Sequence, residues 1–83
     1  VSKMEKVIVR FYAAARDAAG SPEITVSPSS LINLLHSISQ DNSRLSQVLQ
    51  RCSFLVDGAI CHDREVVIQA GSTVDVLPPF AGG

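Results

Sequence analysis

Leu31, Leu34, Leu35 and Ile38 recur at i, i+3, i+4 and i+7, which marks one amphipathic helix in a chain of 83 residues. Ser37, Ser39 and Gln40 fall off that stripe, so the helix has a single apolar face and needs a second layer to bury it against. Ser27-Pro28-Ser29-Ser30 ahead of it supplies hydroxyl caps and a proline near the first turn, a helix start. The other strongly patterned segments are short and β-branched. Val7-Ile8-Val9-Arg10-Phe11-Tyr12 reads as a strand, with Val7, Val9 and Phe11 on one face and Ile8, Arg10 and Tyr12 on the other. Glu23-Ile24-Thr25-Val26 reads as a second strand, joined to the first by more than a tight hairpin. The connection, Ala13 to Ala19, is alanine-rich, too short for a stable free helix, and stopped by Gly20-Ser21-Pro22.

After the main helix, Asp41-Asn42-Ser43 interrupts, and Leu45, Val48, Leu49 and Cys52 repeat the helical spacing in a second, shorter helix capped by Asn42 or Ser43. Phe54-Leu55-Val56 is a short buried strand, and Asp57-Gly58 is a two-residue hairpin signal that returns the chain through Ala59-Ile60-Cys61. Val66-Val67-Ile68 is a further apolar piece before the turn at Ala70-Gly71-Ser72. Thr73-Val74-Asp75-Val76-Leu77 closes the series, with Val74 and Val76 inward and Asp75 and Leu77 outward. The order predicts an α+β fold: one main helix packed across a small mixed sheet, plus a short second helix. Residues 1–83 form one domain in this reading, with 78–83 a flexible tail.

Composition removes several classes of function. A net charge of −1 with seven scattered basic residues gives no electrostatic footprint for nucleic acid. No apolar run approaches the roughly 18 residues of a membrane span. Lys3 and Lys6 precede only a strand-like run with no cleavage site, so a cytoplasmic location is expected. Cys52 and Cys61 are too few for a disulfide framework and their spacing matches no zinc motif, so two reduced thiols are expected. Cys52 continues a helical stripe as a small core residue. Cys61-His62 are sequence neighbours whose side chains point to opposite faces of a strand, a poor arrangement for nucleophile and base. His36 reads as a surface residue. The sequence carries no P-loop and no catalytic triad.

The last six residues, Pro78-Pro79-Phe80-Ala81-Gly82-Gly83, carry the functional signal. The prolines end the strand and stiffen the stem after it, because they fix φ and lack an N–H. The glycines offer a backbone without Cβ, which fits a channel too narrow for any side chain. Extended, the six residues reach about 20 Å. Such a stem suits delivery of an α-carboxylate into another protein's active site. The alternative is a frayed terminus.

The order of elements and the terminal diglycine resemble the ubiquitin-like β-grasp fold, and within it the small subunit of molybdopterin synthase and its sulfur-carrier relatives. Four stretches carry the resemblance. Phe11-Tyr12-Ala13-Ala14-Ala15-Arg16-Asp17 resembles the family's aromatic-Ala-x-x-Arg-acidic segment, and Phe54-Leu55-Val56-Asp57-Gly58 its Val-Asn-Gly hairpin, with Asp for Asn. Ala70-Gly71-Ser72-Thr73-Val74 resembles its Asp-Gly-Asp-Glu-Val turn without the acidic residues. Leu77-Pro78-Pro79-Phe80-Ala81-Gly82-Gly83 matches the family's ending nearly residue for residue.

The resemblance implies a chain that is not catalytic alone and binds no cofactor or metal of its own. A terminal carboxylate, with a pKa of about 3.5, is ionised at neutral pH and a poor electrophile, so it must be activated. The family implies a ubiquitin-activating-like adenylyltransferase that uses ATP to adenylate Gly83. A sulfur donor, through a sulfurtransferase, then replaces AMP to leave a thiocarboxylate. The tail enters the large subunit of a heterotetrameric synthase and gives its sulfur to a pyranopterin precursor. Gly83 is the reacting residue, Gly82 and Ala81 pass the channel, and Pro78 and Pro79 form the stem. Phe80 either anchors that stem beside the domain or enters the partner.

By position, the family's docking contacts fall on Tyr12, Ile60 and Leu77, and strand parity independently sets Tyr12 and Leu77 opposite the inward residues. Arg16 is a candidate for a partner acid or an adenylate, with a solvated surface arginine as the alternative. The other functions to weigh are a carrier for thiamine thiazole, cysteine or tRNA thiolation, a ubiquitin-like modifier joined to lysines through Gly83, and an inert interaction module.

Overall fold

The computed structural model describes residues 5–79. Within them, five strands and three helices succeed one another as β1 (Val7–Phe11), α1 (Ala13–Ala19), β2 (Glu23–Val26), α2 (Leu31–Ile38), α3 (Ser43–Leu49), β3 (Ser53–Val56), β4 (Ala59–Ile60) and β5 (Thr73–Leu77). The strands form one mixed sheet in the order β2-β1-β5-β3-β4. β5, the last strand in sequence, is the middle strand in space. It runs parallel to β1 and antiparallel to β3.

The alternation in β1 and β5 falls as the side chains require. Val7, Val9, Phe11, Val74, Val76 and Phe54 point to the helical side and are buried. The α2 stripe meets them with Leu31, Leu34 and Leu35, and α3 adds Leu45 and Leu49. Ser30 caps α2 by accepting the Asn33 N–H, at 3.2 Å. This is the expected α+β arrangement of helices laid on one face of a sheet, and the other face is left open.

Two differences from the sequence reading, at Ala13–Ala19 and at Val66-Val67-Ile68, have physical causes, and one open choice, the cap of α3, is resolved. The Ala13–Ala19 stretch, too short to hold alone, is a helix. Ala15 is buried beneath it, and Gly20 closes it in the left-handed conformation (φ 78°) with its N–H on the Arg16 carbonyl. The described residues thus hold three short helices of seven, eight and seven residues, with no single dominant one. The cap of α3 is Asn42, whose Oδ1 accepts the Leu45 N–H at 3.0 Å while its Nδ2 donates to the Ala18 carbonyl at 2.8 Å. One side chain therefore starts α3 and ties α1 to it. Lastly, Val66-Val67-Ile68 makes no regular strand. Val67 bridges Ser30, and Ile68 is buried.

The Asp57-Gly58 hairpin forms as read, with φ of 50° and 86° at its two residues, the positive pair that a two-residue turn of matching twist needs. Asp57 Oδ1 also accepts the Thr73 N–H at 2.9 Å, so the hairpin is fastened to the start of β5. That hydrogen bond, and a further one from Ser72, hold the Asp57 carboxyl below its ordinary pKa.

Candidate functional site

The open face of the sheet is built from the side chains that alternate away from the core. Register lines up one row across all five strands: Glu23 beside Arg10, Arg10 beside Asp75, Asp75 beside Leu55, and Leu55 beside Ile60. One step further along, Ser53 lies beside Leu77. Tyr12 comes directly after β1 there, with its N–H donating to the Val76 carbonyl. The structure therefore brings Tyr12, Ile60 and Leu77 to one face, although they come from three separated stretches of sequence.

Ile60 is the most open of the three, at 59% exposure; Tyr12 is exposed and Leu77 half-buried. Beside Ile60 the apolar surface continues into a groove of about 310 Å³ lined by Ala59, Val66, Val67 and Ile68 among others. An edge rich in exposed apolar side chains on a small domain marks a contact surface.

A polar cluster sits within this rim, and sequence reasoning missed it. Arg10 grips Asp75 with two hydrogen bonds, Nε to Oδ1 at 2.7 Å and Nη2 to Oδ2 at 3.2 Å. The Tyr12 hydroxyl donates to Asp75 Oδ1 at 3.3 Å. Asp75 lies on the open face, as strand parity requires. It is nonetheless buried, because Arg10 and Tyr12 close over it; its side chain is 10% exposed against 47% for Arg10. The hydrogen bond and charge of Asp75 raise the Arg10 pKa above its ordinary value. The sequence holds part of this signal, since parity assigns Arg10 and Asp75 each to the face away from the core. Only the parallel pairing of β1 with β5 makes them neighbours.

Arg16 is exposed on α1, and its side chain makes no hydrogen bond or ion pair among the described residues. Pro78, expected to belong to the tail, is buried, and Pro79 is the first exposed residue after β5. The other expected tail residues, Phe80, Ala81, Gly82 and Gly83, lie outside the described residues.

Cys52 is buried, with its Sγ donating to the Val48 carbonyl at 3.2 Å, and burial pushes its thiol up to about 11. Cys61 is half-buried, and its Sγ donates to the Asp63 carbonyl rather than pairing with His62. Both thiols are free. His36 is exposed on α2. Among the described residues no group of three or more His, Cys, Asp or Glu side chains is gathered as a metal site, and no helix is long and apolar enough to cross a membrane.

Residues 9–83 match the ThiS family. No curated protein matches. Among solved structures, the small archaeal modifier protein 1 (SAMP1) of Methanosarcina acetivorans is 25% identical, with a TM-score of 0.80 over 96% of this chain and 98% of the other. The complex of subunits 1 and 2 of the molybdopterin-converting factor from Helicobacter pylori contains a chain that is 22% identical, with a TM-score of 0.72 over 94% of this chain and 99% of that one. SAMP1 of Haloferax volcanii is 19% identical, with a TM-score of 0.77 over 94% of this chain and 99% of the other. These likenesses agree on the ubiquitin-like β-grasp fold.

Proposed function

The chain belongs to the ThiS family, a group of sulfur carriers and ubiquitin-like small modifiers, and from that membership we propose that it is the small, sulfur-donating subunit of a cytoplasmic molybdopterin synthase. The observation that carries this reading is the Gly82-Gly83 pair within the family match, placed shortly after the central strand. The family match runs through Gly82 and Gly83, and the strand just before the tail is the central one of the sheet, paired on both sides. A tail rooted there leaves the fold beside Tyr12 and Leu77, next to the apolar rim that would seat a partner.

In this reading an adenylyltransferase joins the Gly83 carboxylate to the AMP part of ATP and releases pyrophosphate. The persulfide of a sulfurtransferase then attacks the acyl carbon and displaces AMP, and a thiol reductant cleaves the resulting acyl disulfide to leave a thiocarboxylate. The chain docks on a large subunit through Tyr12, Ile60 and Leu77, and the tail presents its sulfur to a pyranopterin precursor. The acids, bases and nucleotide site for these steps belong to the partners. The Helicobacter pylori neighbour is a complex of subunits 1 and 2, which supports a large-subunit partner here.

Intact mass tests the reading. After incubation with the activating enzyme, ATP and a sulfur donor, the chain should gain the difference between one sulfur and one oxygen. A variant extended by one residue beyond Gly83 should gain nothing while keeping its melting temperature. No gain in the wild type, with an activating enzyme shown to be active on another carrier, overturns the proposal.

The likeness to SAMP1 favours a second reading, a modifier joined through Gly83 to lysine amines. Covalent adducts that shift on denaturing gels and vanish when the terminal glycines are removed would select it.

A further inference from the structure

Arg10 is held by Asp75 through one edge of its guanidinium only. The five N–H donors of an arginine form two forks that each fit a carboxylate: a side fork of Nε and Nη2, and an end fork of Nη1 and Nη2. Asp75 occupies the side fork, with Oδ1 on Nε and Oδ2 on Nη2. No hydrogen bond engages Nη1 among the described residues, and the side chain is about half exposed. Asp75 itself has little left to offer, since it is buried and its Oδ1 already accepts from both Arg10 and Tyr12. The group that this cluster presents outward is therefore the end fork of Arg10.

Its surroundings turn that fork into a requirement. Leu55, Ile60, Leu77 and the ring of Tyr12 share the face, and Glu23, beside Arg10 in register, makes no hydrogen bond or ion pair with it among the described residues. A partner that covers this apolar rim also covers Arg10. If it were apolar throughout, it would strip water from the unfilled donors and leave them unpaired, at a cost no extra hydrophobic contact readily offsets. A partner carrying an acidic side chain opposite the fork satisfies them bidentately.

We propose that Arg10, braced by Asp75, is a specificity-determining residue of the docking face, and that the partner protein seated on Tyr12, Ile60 and Leu77 supplies an Asp or Glu carboxylate to its Nη1/Nη2 edge. Asp75 is the positioning residue: it fixes the guanidinium plane so that the free edge faces out. This rests on the reading of the open face as a partner site, and it adds the chemistry by which one partner is accepted and an equally apolar one refused.

The test uses the full chain and the cognate synthase large subunit. R10L with D75L removes the pair together, so no buried carboxylate is stranded and the fold is expected to hold. R10K keeps the charge and loses the fork. Binding to the large subunit should weaken at least tenfold in both, with the melting temperature of R10L/D75L near wild type. The salt dependence of wild-type affinity should flatten in R10L/D75L, a change that packing alone does not produce. Affinity unchanged or improved in a folded R10L/D75L overturns the inference and leaves the functional reading standing. Wild type that binds neither the large subunit nor the activating enzyme overturns both. A concentration-dependent dimer of the free chain that R10L/D75L abolishes assigns the carboxylate to a second copy and overturns the assignment to a partner.

Discussion

Truncating Ile60 to alanine separates the proposed docking role of the open face from its structural role. The substitution removes three carbons, worth about 0.8 kcal/mol each when fully buried. Ile60 is 59% exposed in the free chain, so somewhat more than half of that apolar surface is left for a partner to cover. The resulting loss of binding energy is about 1.4 kcal/mol, or about tenfold in Kd. The part already covered in the free chain limits the stability loss to about 1 kcal/mol, a fall of at most about 8 °C in a domain of this size. Ile32 provides the matched control. It undergoes the same truncation and is 48% exposed, but it lies on α2, in the helical layer on the other side of the sheet. I32A should leave Kd unchanged. Isothermal titration against the large subunit, with thermal melts of both variants, reads the two effects separately. Equal affinity loss in I60A and I32A, or none in I60A, would refute the assignment of the open face as the docking surface.

Local geometry sets three further outcomes. Burial lifts the Cys52 thiol from an ordinary 9.0 to about 11, so the unfolded chain releases that proton first. The stability this contributes is complete below pH of about 9 and lost as pH rises through about 11; iodoacetamide should label Cys61 in the native protein and reach Cys52 only on unfolding, and equal labelling rates would contradict this. Asp57 has the opposite sign: its depressed carboxyl stabilises the fold at neutral pH, and that contribution is lost as pH falls below the ordinary 3.8 and through its native value. Urea midpoints of D57N, whose asparagine tolerates the left-handed turn, should therefore fall less steeply on acidification than those of wild type. Ala13 has a φ of 50°, a left-handed conformation that costs an alanine about 1 kcal/mol or more. A13G should thus be neutral or stabilising, whereas A14G, inside α1, should cost about 1 kcal/mol in a chemical melt.

Local pattern makes much of the fold legible. The alternation of Val7, Val9 and Phe11, the stripe of Leu31, Leu34 and Leu35, and the Asp57-Gly58 turn each declare themselves within a few residues, because each reports a periodicity or a backbone preference. α1 is not legible in that way. Its seven residues are held by the burial of Ala15, the Gly20 cap and the hydrogen bond that Asn42 sends to the Ala18 carbonyl, all tertiary or terminal effects. The same distinction divides the site. Tyr12 and Leu77 can be set on the open face by parity alone. The Arg10–Asp75 pair spans 65 positions and depends on a parallel pairing that neither strand announces. Asp75 reads as a solvent residue in its own strand, and it becomes a buried acid only once β1 lies beside it.

That parallel pairing also links the fold to the proposed chemistry. A tail that must deliver its end to a fixed point in a partner gains from a root that does not move, since each loosened residue widens the volume the tip has to search. β5 meets this need by being last in sequence and central in space, with hydrogen-bonded neighbours on both edges. The Tyr12 N–H on the Val76 carbonyl and Ser53 beside Leu77 hold the strand to its final residue. Pro78 then ends the pairing, because it has no N–H to offer a neighbouring strand, yet it stays buried against the domain. The stretch from Pro79 to Gly83 spans about 17 Å when extended. Tyr12 and Leu77, two of the apolar side chains that would seat a partner, lie at the ends of β1 and β5, beside Pro78. In the proposed reading, docking on this face would fix the origin of the tail, and the short reach from Pro79 to Gly83 would confine the reacting group to a small part of the partner.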